Sequence, residues 1–124
     1  MYGLAGFRSR GKVYLWRQGQ RVCVYCGESL RRTLLTCDHA TPICRGGTDL
    51  PDNWLAACSL DNSLKGDLTF DEFAALVASS PDLLKKRIRT ALRRADRYWN
   101  GAEDAHYDRL RRTLAGYGAL AVPA

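Results

Sequence analysis

Two short pairs of residues carry most of the chemistry this chain could perform. Cys23 and Cys26 form a Cys-x-x-Cys pair closed by Gly27, a spacing that suits a tight knuckle presenting two thiolates to one ion. Asp38 and His39 stand side by side. Histidine is the side chain whose ordinary pKa lets it take a proton from water near neutral pH, and a carboxylate beside it is a hard ligand for a divalent cation. Taken singly, each pair also has a plain reading: a knuckle held by packing, and an Asp to His hydrogen bond that steadies a loop. His106, the only other histidine, has no cysteine or carboxylate partner pattern around it and reads as a surface residue. Five cysteines without an export leader argue against a disulfide framework. Cys37 and Cys44, apart from the other three in spacing and context, read as packing residues.

Further along come Pro42, the Gly46-Gly47 pair, Asn53, Cys58, Asp61-Asn62 and Lys65-Gly66. In this order and spacing, over roughly residues 21–73, the chain resembles the HNH endonuclease family, the ββα-metal nucleases with zinc-knuckle cysteines, among which small phage or mobile-element nucleases are the nearest analogues. The resemblance implies a DNA endonuclease in which His39 is the general base. It also implies that Asp38 and Asn62 hold one Mg²⁺ or Mn²⁺, and that Asn53 pins the loop through backbone hydrogen bonds so that the histidine points at the phosphate. Cys23, Cys26 and Cys58 fall where the family has structural zinc thiolates. Here the chain departs from the pattern, since its fourth position is Asp61 instead of cysteine. Zinc accepts a carboxylate oxygen, so three thiolates and one carboxylate form the expected set, with Cys44 or Cys37 as substitutes if that set fails.

The elements that must position these groups follow from punctuation and periodicity. Residues 1–20, rich in Gly and Arg with a short aromatic run at 13–16, read as a basic arm with room for one strand. Residues 30–37 read as a strand entering Asp38-His39, and residues 41–52 as a loop, because Pro42 and the paired glycines stop regular structure. The apolar run 54–60 leads into a helix ending near Gly66. Thr69 to Glu72 has the form of a capping box. A helix from Pro81 to about Trp99 follows, then one over 102–114 and a Gly and Ala rich tail. The expected fold class is α+β: a small ββα-metal core with a zinc knuckle at 21–73 and a basic helical extension at 74–124, all in one compact domain.

Charge points to the partner. The chain carries 19 Lys and Arg against 13 Asp and Glu, a net charge of +6, and two basic segments flank an acidic middle. Lys85, Lys86, Arg89, Arg93 and Arg97 make one helix dense enough in positive charge to follow a DNA backbone, and Arg45 and Lys65 are placed to contact a phosphate. No run is long and apolar enough for a membrane span, and the first ten residues have no secretory core, so the cytoplasm is the expected location. A homodimer or a phage packaging protein is a further candidate partner. The alternatives to an enzyme are a zinc-stabilised DNA-binding module that has lost catalysis and a packaging accessory.

Overall fold

The computed structural model describes the backbone of residues 2–117 and the side chains from Arg10 onward; the part of the tail from residue 118 lies outside the described residues. Its centre is a hairpin. Strand β1 (Thr36–His39) pairs antiparallel with β2 (Trp54–Ala57), Thr36 opposite Ala57 and His39 opposite Trp54. Helix α2 (Ser59–Lys65) follows at once, capped by Cys58, and completes a ββα unit. The structure is thus α+β, as its motifs imply.

Around this unit the helices bury one face each. Helix α3 (Phe70–Ser79) begins with the reciprocal Thr69 and Glu72 capping box and buries Phe73, Ala74 and Val77. Helix α4 (Pro81–Arg94) starts on proline and buries Leu84, Ile88 and Leu92 at helical spacing. It stops five residues before the expected Trp99, because Asp96 takes a left-handed conformation (φ 54°) and the Arg97 amide turns back to the Leu92 carbonyl at 2.9 Å. Helix α5 (Ala102–Gly116) begins after Gly101 and returns across α4, and its Tyr107 hydroxyl donates to the Val77 carbonyl at 2.5 Å. Tyr25, from the knuckle, packs edge-on against Phe73 with ring centroids 5.3 Å apart, which joins knuckle and helices in one core.

The amino-terminal segment corrects the sequence reading. Tyr2–Arg17 is helix α1 and contains no strand. Its glycines look like breakers in sequence, but Gly11 is where the helix meets the hairpin: a Cβ there would lie 2.6 Å from the Cys37 sulfur. Tertiary packing has overridden propensity. Tyr14 completes the contact, edge-on to Trp54 at 5.6 Å. Cys37 is accordingly a packing residue, and burial pushes its thiol up to about 12. Cys44 is not one, since it is exposed on a 3₁₀ turn. No helix among the described residues is long and apolar enough to cross a membrane.

Candidate metal centre and active-site cleft

Four residues from two parts of the chain converge under the hairpin. The ligand atoms of Cys23, Cys26, Cys58 and Asp61 all lie within 4.8 Å of one another, and all four residues are buried. The knuckle supplies the first two: the Gly27 amide closes on the Cys23 carbonyl at 2.9 Å, the Cys23 amide on the Glu28 carbonyl at 2.8 Å, and Gly27 takes the positive φ this turn needs. The Val24 amide bonds the Ala56 carbonyl at 2.9 Å and fixes the knuckle to β2. Cys58 and Asp61 come from the start of α2, one turn apart.

The donor set fits a tetrahedral cation. Zinc–sulfur bonds of 2.3 Å place neighbouring sulfurs about 3.8 Å apart, and the Asp61 Oδ2 oxygen stands 3.3 Å from the Cys23 sulfur and 3.2 Å from that of Cys58. The protonation chemistry agrees. Hydrogen bonds from the Cys26 and Cys58 thiols hold Cys23 well below the usual thiol range, and the same sharing pushes Cys26 and Cys58 up. Metal ligation needs the deprotonated thiols, so a divalent ion bound here would displace these shared protons. Asp61 is fully buried among these sulfurs, a costly position for a carboxylate unless positive charge compensates it.

His106 belongs to this centre and not to the surface. It is 4% exposed, and its Nε2 lies 2.6 Å from Asp61 Oδ1. The partner is 45 residues away in sequence, so no local pattern reveals it. One signal was available: His106 falls midway between Ala102 and Leu110 on the buried face of α5.

The second site is open. A cavity of about 710 Å³ is lined by Thr36, Cys37, His39, Asp49, Asn62, Ser63 and residues of α1 including Lys12. His39 sits at the end of β1, 28% exposed, with its Nε2 2.9 Å from Asp49 Oδ1. Asp49 Oδ1 also accepts from the Trp54 indole at 3.0 Å, and the His39 hydrogen bond leads the contacts that lower its pKa. Asp49, absent from the sequence expectation, is the partner of the candidate base. It comes from the irregular loop, which Asn53 organises: the Asn53 amide accepts from the Thr41 amide at 2.9 Å and donates to the Thr41 and Thr48 carbonyls at 2.9 and 2.7 Å. Gly47 is obligatory in that loop, because a Cβ would fall 1.8 Å from the Thr41 carbonyl oxygen.

Asp38 and Asn62 are engaged with different partners. Asp38 is 5% exposed and does not line the cavity. One of its oxygens accepts from the Tyr25 hydroxyl and the other lies 3.3 Å from the Lys65 ammonium. Burial pushes its carboxyl up, against the pull of Tyr25 and Lys65. Asn62 lines the cavity and donates to the Thr36 hydroxyl at 3.1 Å. In this arrangement Lys65 holds the position of counter-charge to Asp38.

Two expected phosphate contacts are therefore engaged elsewhere. Lys65 is 2% exposed and also donates to the His39 carbonyl at 2.8 Å, which makes it an internal brace beneath the base. Arg45 is exposed but grips Glu72 with two bonds of 2.6 and 3.0 Å. The basic helix α4 divides into two groups. Lys85 and Arg89 pair with Asp104 and Glu103 of α5 at 3.0 and 2.6 Å, and Arg93 lies over the Tyr98 ring. Lys86, Arg87 and Arg94 line a groove with Ser63 and Leu64 of α2, while Arg97 lines a separate cavity beside His106. Ser63 borders both the groove and the His39 cavity.

A buried group of three cysteines and a carboxylate that could hold a metal ion, beneath a ββα unit with a histidine at the end of its first strand, is an arrangement of the nuclease type. Residues 23–68 match the family model described as HNH endonuclease, so the similarity lies in the segment that holds the knuckle, the hairpin and α2. No curated protein and no solved structure matches the chain.

Proposed function

We propose that this protein is an endonuclease that hydrolyses phosphodiester bonds of DNA, with His39 as general base, Asp49 as its positioning partner and a structural zinc held by Cys23, Cys26, Cys58 and Asp61. The observation that carries the reading is the partly exposed His39–Asp49 pair in a cavity that shares Ser63 with the groove of Lys86, Arg87 and Arg94. A carboxylate can only accept, so the Nε2 proton of His39 points to Asp49 and Nδ1 is the nitrogen that takes a proton from water. Asp49 fixes the ring and offsets the positive charge that develops on it, and Asn53 holds the loop that carries Asp49. The three basic side chains of the groove suit the phosphates flanking the scissile one.

Hydrolysis of a phosphodiester commonly draws on a divalent cation to offset transition-state charge. Asp38 and Asn62 are the residues that would hold such an ion, which would require Asp38 to exchange its contact with Lys65 for the cation. The same observation favours a second reading, a zinc-stabilised DNA-binding module without turnover.

Supercoiled-plasmid cleavage decides between them. With added Mg²⁺ or Mn²⁺, His39→Ala should lower the cleavage rate by about 10²–10⁴-fold while leaving DNA binding and thermal melting unchanged, and Asp49→Asn should give a smaller loss in the same direction. The control omits the added ion instead of using a chelator, which would also strip the cysteine centre. A folded, DNA-binding wild type that never cuts would select the binding module.

A further inference from the structure

The cysteine centre lacks the fourth sulfur of an all-thiolate site, and the structure contains what stands in support of its replacement. Asp61 divides its two oxygens. Oδ2 faces the sulfurs of Cys23 and Cys58 at 3.3 and 3.2 Å, while Oδ1 lies 2.6 Å from His106 Nε2. The other ring nitrogen of His106 is 3.0 Å from an Arg109 guanidinium nitrogen. A guanidinium only donates, so Nδ1 must be the acceptor. The ring proton then sits on Nε2 and is given to Asp61 Oδ1. Arg109 thereby fixes the tautomer of His106, and His106 fixes the carboxylate.

From this geometry we propose that His106, set by Arg109, is the positioning residue that makes Asp61 a single-oxygen ligand of the metal, in place of a fourth cysteine. With Oδ1 occupied by a buried donor, only Oδ2 is presented to the ion, and the carboxylate cannot swing to bind through both oxygens or turn toward solvent. A carboxylate is a weaker zinc ligand than a thiolate in company with three thiolates, so it gains more from an outer hydrogen bond that holds it in place. Such outer partners are commonly worth 10–100-fold in metal affinity. A second consequence is architectural. His106 and Arg109 belong to α5, so the ion would add a tie between the helical extension and the ββα unit. The inference rests on assigning the four-residue cluster as a metal site and is independent of whether the protein cuts DNA.

Metal titration of the full chain tests it, with Co²⁺ as a spectroscopic probe and a chelating chromophore to measure zinc affinity. Wild type should bind one equivalent with sulfur-to-cobalt charge transfer typical of three thiolates. His106→Ala should bind about 10–100-fold more weakly, and His106→Gln, which keeps a donor toward Oδ1, should recover most of that loss. Asp61→Cys should yield a four-thiolate spectrum, and adding His106→Ala to it should cost no affinity, because a thiolate does not need the histidine. That last variant separates positioning from a general folding defect, since any packing loss at His106 is present in both backgrounds. Unchanged affinity in His106→Ala overturns the positioning role, as does an equal loss in the Asp61→Cys background. Wild-type affinity in Asp61→Ala shows that another group is the fourth ligand and overturns the proposal. Failure of the wild type to bind any metal overturns the site itself.

Discussion

The molecule holds two Asp–His pairs in opposite settings. Asp61 and His106 are almost completely enclosed, 2.6 Å apart, with every nitrogen and oxygen engaged by the cysteine centre or by Arg109. Asp49 and His39 are about a quarter exposed, 2.9 Å apart, and border an open cavity beside a basic groove. The side chains are the same, and the surroundings decide what they can do. A pair whose histidine has both ring nitrogens engaged is fitted to hold geometry, whereas a more exposed pair bordering a large open cavity can exchange a proton with what enters it. Structure on one side of the hairpin and chemistry on the other is the division this comparison suggests, and it can be broken experimentally.

The largest effect should come from the enclosed side. The apparent binding free energy of structural zinc in small peptides is about 10–16 kcal/mol, as large as the whole stability of a typical domain. Stripping the metal with a strong chelator should therefore collapse the thermal transition of the protein, followed by circular dichroism, and readdition of zinc should restore it. Because the knuckle, β2 and α2 all meet at that centre, the cleft should be lost with it. A protein that keeps its melting temperature without metal would mean that packing around Tyr25 and Phe73 suffices, and the contrast between the two sites would lose its basis.

Next in size is the brace between them. Lys65 and Asp38 form a buried ion pair, side chains 1% and 6% exposed, directly beneath His39. Lys65→Met would leave the Asp38 carboxylate buried with only Tyr25, and breaking such a pair typically costs about 3–5 kcal/mol. Denaturant melts should show that loss. Adding Asp38→Leu to Lys65→Met should recover a good part of it, since replacing both partners by apolar groups of similar size removes the uncompensated charge. Recovery of stability without recovery of plasmid cleavage would show that the brace also positions the base. If Lys65→Met costs nothing, Asp38 is free to serve another cation, and the arrangement proposed for the cleft would need revision.

Which parts of this were legible beforehand follows from how far apart in the chain the partners lie. Of the candidate metal centre, Cys58 and Asp61 are placed by the resemblance to the HNH pattern, while the Cys23 and Cys26 knuckle declares itself by type and spacing, which are local facts. The same holds for the capping box of α3 and the proline start of α4. Asp49 was missed because it sits in an irregular loop whose path is set by Asn53, not by any periodicity. Lys65 was misjudged because a lysine in the last turn of a helix reads as surface charge until the neighbouring buried carboxylate is known. Helix α1 was hidden by Gly11, whose missing side chain is a packing requirement against Cys37 and carries no sign of that in sequence. In each case the deciding contact is tertiary.

The smallest effect concerns how the open side is held. The Gly46-Gly47 loop is tied to α3 by the exposed bidentate contact of Arg45 with Glu72, whose carboxylate also completes the capping box on the Thr69 amide at 2.9 Å. The Arg45 guanidinium holds the Glu72 carboxyl down at about 2, from an ordinary 4.5. A carboxylate whose folded pKa is depressed contributes stability that is present above its unfolded value and disappears as pH falls through the folded one. The contribution of Glu72 should therefore be complete above about pH 5 and gone near pH 2. Glu72→Gln keeps a capping side chain and removes the charge, so its melting temperature should lie slightly below that of wild type at pH 7. The gap should close on acidification, and it should narrow with added salt at pH 7 because the pair is exposed. A gap that stays constant from pH 7 to pH 2.5 would mean that the contact works through shape alone. The open side would then be held, like the enclosed one, by geometry that pH does not reach.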